Sequence, residues 1–424
     1  MPTRYTVVAF GLSAMAVAYL DRVCIAVAAP HIRSELALSD AQLGYVFSAF
    51  TLAYALFEMP SGYLADRFGA RLMMARIVIW WSLLTALTGA AWSFFSLLVI
   101  RFLFGAGEAG VMPSLARAFG RWLPWSESAR AFGLTVMAGA VSGALTQPLA
   151  AALFEGIGWR WGFVVFGLIG FVWVAAWLRW FRDDPEEHPR ITEGELDWIR
   201  AHRVQPSVRP HWTAAFRQRD YGTICLAYFL AIYGWYFYIT WLPSYLMRGR
   251  GFTALEAGAL SALPLVSIAI GVALGGYLSD RISVGRGRSL GRRLPAVMGL
   301  AAAAVCLAAS MRLAHPLAAT VLLSLAAGFA ALSVAPAWAL CAELGGEDAG
   351  LMTGGMNMCG NLGGALSGVV VGWIQQWWDS WDGGLWSIVV AYLLAGTLWL
   401  VIHGDGTGAA ASRMAPSEKR LANE

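Results

Sequence analysis

Asp21 and Arg22 in "YLDRVCIAVAAP", and Arg101 and Glu108 in "RFLFGAGEAGVMPS", are ionisable side chains set inside apolar runs long enough to cross a lipid bilayer. Their types are complementary. A guanidinium is planar, permanently charged and forked, so it can hold a carboxylate by two parallel hydrogen bonds. A carboxyl group in low-dielectric surroundings can take up and release a proton near neutral pH. Residues 101 and 108 are seven apart, so on a helix they share a face at a separation of about 10 Å. Residues 21 and 22 lie about 100° apart around a helix axis, so one can face a neighbouring helix while the other faces a cavity. Charges at membrane depth cost several kcal/mol unless paired or wetted, which makes a ligand site or a proton path their first reading. A buried ion network that only holds helices together is the alternative. Glu58 in "YALFEMPSG" is a third membrane carboxylate, read either as a second protonation site or as a snorkelling or loop-pairing side chain.

Long helices are needed to place these groups, and the composition supplies them. Of 424 residues, 58% are hydrophobic and 13% charged, with a mean hydropathy of +0.59, which excludes a soluble globular domain. At about 20 apolar residues per crossing, twelve spans are expected near 6–30, 42–64, 73–92, 95–118, 129–153, 161–181, 221–247, 255–279, 294–312, 316–340, 350–373 and 384–403. The fold class expected is therefore an all-α membrane protein. The 47 glycines suit close helix packing in lipid. The first apolar run is too long for a signal-peptide core and has no small-residue cleavage site after it, so it is expected to remain as span 1. Cysteines 24, 225, 306, 341 and 359 fall within spans or at their ends and read as small apolar packers rather than a disulfide framework. The six histidines sit in loops or near span ends, and no Cys/His group has metal-ligand spacing. No metal site, cofactor or catalytic group is expected.

Arginine placement orients the chain, because cationic loops resist translocation. With the N-terminus inside, the segments 65–76, 117–130, 179–220 and 280–293 hold 3, 3, 8 and 5 Arg, while the outer loops hold Arg33, Arg160, Arg248, Arg250 and Arg312. Both termini are expected on the cytoplasmic face. The net charge of +4 follows from this topology and does not point to nucleic acid.

"GYLADRFGAR" at 62–71 follows the second span and "GYLSDR" at 276–281 follows the eighth, an offset of 214 residues. The expected organisation is a six-helix bundle over 1–182, a polar linker over 183–220 with one amphipathic helix near Glu193 to His202, a second bundle over 221–405 and a tail over 406–424. Repeated halves of this kind build transporters with a ligand site near the midplane.

The "GYLADRFGAR" loop resembles the G-x-L-a-D-r-x-G-r-r loop of the major facilitator superfamily. "YLDRVCIAVAAP", "RFLFGAGEAGVMPS", "DDPEEHPRIT", "YITWLPSYL" and "GNLGGALSG" resemble, in order, motifs of its anion:cation symporters, which include bacterial sugar-acid/proton symporters, sialin and the vesicular glutamate transporters. That resemblance implies two six-helix pseudo-repeats and proton-coupled symport of a small organic anion. It assigns Arg22 to the substrate carboxylate, with Tyr19, Tyr54, Tyr236 and Asn361 lining the pocket, and Asp21, Glu108 and Arg101 to proton coupling. Gly62, Asp66, Arg67, Gly69 and Arg71, with Asp280 and Arg281 of the second copy, would serve the cytoplasmic gate and touch no substrate. Purely topogenic charged turns are the plainer reading of those loops. Trp241 and Trp338 are weaker pocket candidates.

Two departures bear on specificity. Gly139 stands where sugar-acid members carry a glutamine, with Gln147 two turns later as its substitute, which puts galactonate-like recognition in doubt. Glu58 stands where a neutral glutamine is more usual. The expectation is a monomeric carrier in a bacterial inner membrane, with a small organic anion, protons and lipid as its only partners. A proton-driven exporter of lipids or drugs is the rival within transport. A nutrient receptor is the rival outside it, disfavoured by the short tail.

Overall fold

In the computed structural model, residues 2–123, 125–202, 219–345 and 349–402 are described. Span 1 is Thr3–Glu35, span 2 Asp40–Phe68 and span 3 Ala70–Thr88. Span 4 is Phe94–Glu108 continued by Val111–Trp122, span 5 Trp125–Ile157 and span 6 Trp159–Trp180. After a short helix at Glu193–His202, span 7 is Arg219–Thr240, extended through Leu242–Ser244 and a π turn at Tyr245–Gly249. Span 8 is Ala254–Arg286, span 9 Arg288–Arg312 and span 10 Pro316–Ala331 continued by Val334–Gly345; span 11 is Ala349–Trp378 and span 12 Trp381–Val401. Ten of these are long and apolar enough by themselves to cross a membrane, and spans 2 and 11 complete the twelve. The tail 406–424 and linker residues 203–218 lie outside the described residues.

Sequence sets where these helices begin. Ser39 with Gln42, Ser93 with Ser96 and Thr253 with Glu256 form reciprocal capping boxes at the starts of spans 2, 4 and 8, satisfying backbone N–H groups that a helix start leaves unpaired. At Gly69 the backbone turns from span 2 into span 3 with φ of +84°, and a Cβ there would lie 2.6 Å from an Asp183 carboxylate oxygen. Only glycine meets both demands.

The glycines of "GAGEAG" let span 4 press on two neighbours. A Cβ at Gly105 would stand 2.1 Å from the Phe50 carbonyl oxygen of span 2, and one at Gly107 would overlap the Trp80 ring of span 3. This contact fixes the depth and facing of Arg101 and Glu108.

Spans 2 and 11 join the two halves in an antiparallel seam. Near the end of it that carries the 36–39 turn a Cβ on Gly44 would lie 2.4 Å from the Gly368 carbonyl oxygen, the Ser48 hydroxyl donates to the Ala365 carbonyl at 2.5 Å, and the Trp373 indole donates to Tyr45 at 2.9 Å. Trp241 packs edge-on to Phe47 at 5.2 Å, a role in the seal rather than in a pocket. Asp40, buried at the start of span 2, accepts from both terminal nitrogens of Arg248 at 2.5 and 2.9 Å and pairs with Arg33 at 3.2 Å. On the other flank, Gly258 of span 8 abuts the Gln147 carbonyl and Ala151 of span 5. The end of the molecule that carries the 36–39 and 250–253 turns is therefore closed.

Asp40→Asn removes the charge that holds Arg33 and Arg248 together across this seal. Charge-assisted hydrogen bonds contribute about 2 kcal/mol, so the substitution is expected to enrich the form open at this end by at least tenfold. Reactivity of a cysteine placed at Ser48, buried beneath span 11 in this closed form, toward a membrane-impermeant thiol reagent measures the shift when compared with and without Asp40→Asn; unchanged labelling would show that the triad is not a latch.

At the opposite end the linker docks beneath the first half. The Thr3 and Arg4 backbone N–H groups donate to Glu195 at 3.0 and 2.9 Å, so the linker helix caps span 1. Arg121 pairs with Asp184, and Asp183 accepts from the Arg71 N–H at 3.1 Å. His188 packs on Trp122 and Trp180 and accepts from the Arg190 N–H at its Nδ1, which leaves Nε2–H to donate to the Trp180 carbonyl at 3.1 Å. Burial holds its imidazole below the usual histidine pKa, in keeping with this neutral tautomer.

Candidate functional site

The ionisable groups of spans 1 and 4 meet. Asp21 is fully buried toward spans 3 and 4, with Thr85 and Arg101 among its neighbours. Arg22, one position on, points away from it toward Glu108, with Tyr54 of span 2 and Tyr236 of the second half among its neighbours. Its Nε and Nη2 both donate to Glu108 Oε1, at 3.2 and 2.5 Å. Its guanidinium carbon stands 5.1, 5.2 and 4.9 Å from the ring centres of Tyr19, Phe50 and Tyr54, a cage of π faces around a cation.

Arg101 is placed differently from Arg22. Its guanidinium lies 5.1 Å from the Phe50 ring centre and 4.4 Å from that of Phe104, and its Nε and Nη1 make no hydrogen bond among the described residues. The same holds for both carboxyl oxygens of Asp21 and for Glu108 Oε2. The hydrogen-bonded partner of Glu108 is thus Arg22, whereas Arg101 reaches the two acids only through its field. An unpaired buried charge is expensive, so the protonation of Asp21 and Glu108 is tied to the positions of both arginines.

The second half supplies the facing wall. The Tyr236 hydroxyl donates to Asn361 Oδ1 at 2.9 Å, Tyr236 lies over Gly364, and the Trp338 indole donates to the Tyr228 hydroxyl at 3.1 Å. One turn from Tyr54 and from Asn361, toward the end where the linker docks, the Asn357 amide nitrogen donates to both oxygens of Glu58, at 2.9 and 3.2 Å. Glu58 therefore pairs across the seam, neither snorkelling nor bound to the loop.

Tyr19 explains the glycine of span 5. A Cβ at Gly139 would stand 2.7 Å from the Tyr19 ring and one at Gly143 3.2 Å from it, so the tyrosine fills the space a longer side chain at 139 would need. Gln147 is buried one turn beyond Gly143, beside the seal with span 8, and its amide has no hydrogen-bond partner among the described residues.

The loop residues lie apart from this cluster. Gly62 faces Pro113 of span 4. The Arg71 guanidinium donates to the Leu178 carbonyl at 2.6 Å and its backbone carbonyl accepts from the Trp177 indole at 3.0 Å, while Arg67 is exposed over Phe68. The Asp66 side chain lies outside the described residues. In the second half Asp280 pairs with Arg292 at 2.8 Å and Arg281 donates to Tyr277 at 2.9 Å. Each described contact here stays within one half. No group of three or more metal-capable side chains stands together among the described residues.

Sequence reading missed Phe50 and Asn357, although each is one helical turn from a residue it singled out, and it missed the Asp40–Arg248 pair, which no local pattern marks.

The family profile of the Major Facilitator Superfamily matches residues 11–368 and, again, 224–421. The chain belongs to the major facilitator superfamily. It is 38% identical over 345 residues to the "Probable sulfoacetate transporter" of Cupriavidus necator, covering 80% of each chain, and 30% identical over 341 residues to the "Hexuronate transporter" of Bacillus subtilis, again covering 80% of each. With the "D-galactonate transporter" of Escherichia coli it shares 33% identity over 316 residues, 70% of this chain and 72% of that one. A solved bacterial homologue of the human lysosomal transporter Spinster, inward-facing, aligns over 98% of this chain and 99% of its own at TM-score 0.73 and 20% identity. A D-xylose-proton symporter aligns over 95% and 99% at 0.74 and 12%. These two likenesses are of fold. The chain is a multi-pass membrane transporter of this superfamily and not an enzyme.

Proposed function

We propose that this transporter carries a small organic anion across a bacterial inner membrane together with protons, its two halves rocking about the site between them and both termini facing the cytoplasm. The observation that carries this reading is the Arg22–Glu108 pair. Arg22 is the guanidinium that faces the space between the halves, and Glu108 occupies its fork. An incoming carboxylate or sulfonate competes for the same N–H groups. A proton on Glu108 removes that competition, so anion and proton bind in mutual support. Asp21, behind Arg22 and beside Arg101, senses the same exchange from the far side. The relatives' names, which all describe transport of organic acids, support the substrate class.

Purified protein in liposomes, offered labelled aldonates, uronates, dicarboxylates and sulfonates with and without an inward proton gradient, tests this. Accumulation of at least one anion that collapses with a protonophore is expected. Uptake of none of these anions, with lipids or cationic drugs carried when offered in the same liposomes, would overturn the reading.

A further inference from the structure

Glu58 is a buried carboxylate that the coupling scheme above does not use. It lies four residues from Tyr54 on span 2, hence on the same face and about 6 Å farther inward. Asn357 stands in the same relation to Asn361 on span 11. Tyr54 touches the Arg22 guanidinium, Arg22 is the cation whose field reaches Glu58, and the Glu58–Asn357 bond closes the inner side of the same space. The site therefore has a cation at one end and an anion at the other.

We infer that Glu58 reads the end of the substrate opposite Arg22, admitting a hydroxyl or ammonium group there and rejecting a second anion. The inference rests on Arg22 being the anion anchor. Two features carry it beyond that. Among the described residues Glu58 has a single hydrogen-bond donor, the Asn357 amide, shared between its two oxygens. A carboxylate accepts about four hydrogen bonds, so it keeps room for donors from a ligand but none for another acceptor. Charge balance points the same way. Two guanidinium groups, Arg22 and Arg101, face three carboxyl groups, Asp21, Glu108 and Glu58, so one arriving negative charge can be matched by a proton on Glu108, whereas a second at the distal end lies against the Glu58 carboxylate and is admitted only at the cost of a further proton. The substrate class that follows is a monoanion bearing a distal hydroxyl or ammonium.

Matched ligand pairs that differ only at the distal end test this: isethionate against sulfoacetate, gluconate against glucarate, and galactonate against galactarate. Binding is measured by titration calorimetry on the full chain in nanodiscs, with monodispersity and melting temperature recorded for every variant. In the parent, the monoanion of each pair that binds is expected to be at least about tenfold tighter than its dianion. Glu58→Gln should bring the two within about threefold, chiefly by tightening the dianion, while Glu58→Asp keeps the gap. A parent that binds the dianions as tightly as the monoanions overturns the inference and leaves the anion carrier standing. So does a gap that Glu58→Gln leaves unchanged, which would make the Glu58–Asn357 bond a latch between the halves. If none of the six binds but another anion of the liposome panel does, the same comparison is made between that anion and its form with the distal group oxidised to a carboxylate or reduced to an alcohol; if no anion of either set binds, the anion-carrier reading itself falls.

Discussion

Exchanging Arg22 for lysine is expected to weaken anion binding by roughly thirtyfold, the loss of about 2 kcal/mol that one charge-assisted hydrogen bond of a forked pair supplies. Lysine keeps the charge but presents a point donor on a flexible stem, and it cannot lie against the Tyr19, Phe50 and Tyr54 rings as a flat guanidinium does. Arg22→Gln should go further and abolish binding, because it also strips Glu108 of its hydrogen-bonded partner. Leaving one member of a buried ion pair alone typically costs about 3 to 5 kcal/mol, so the glutamine variant should melt earlier as well. Calorimetric titration of whichever anion the liposome panel yields, with a melting curve for each variant, separates the two effects. Affinity within twofold of the parent in Arg22→Lys would mean that another group anchors the anion.

Neutralising Glu108 should uncouple the carrier while sparing recognition. Glu108→Gln imitates the protonated acid and frees the Arg22 fork, so binding should be at least as tight as in the parent and lose its dependence on pH. Exchange of anion across the membrane should continue, and accumulation against a gradient should fall to near equilibrium. Asp21→Asn should either behave alike or stop transport altogether, depending on whether Asp21 must release its proton for the empty carrier to reset. Counterflow and pH-driven uptake, run side by side on each variant in liposomes, distinguish these outcomes. Full proton-driven accumulation in both variants would remove both acids from the coupling path and leave Glu58 as the remaining membrane carboxylate of the cluster.

The crossings, the repeat and the ionisable residues at membrane depth were legible in the amino-acid sequence, because all three are local. Each span is a run of apolar residues whose length the bilayer dictates, and the repeated loop is visible as text. The linker helix at Glu193–His202 was legible for the same reason. The separation of Asp21 from Arg22 followed from helix geometry alone. Which arginine meets which acid follows from the packing of the helices. Periodicity puts Arg101 and Glu108 on one face, but whether Glu108 pairs with Arg101 or with Arg22 depends on how closely span 4 approaches spans 2 and 3, and the glycines at 105 and 107 set that distance. The meaning of Gly139 likewise lay in another helix, in the Tyr19 ring that fills its space. Glu58 and Asn357 are 299 residues apart, and Asp40 and Arg248 are 208 apart. Pairs so distant have no signature in a single chain, since they form only when the two halves close on each other along spans 2 and 11.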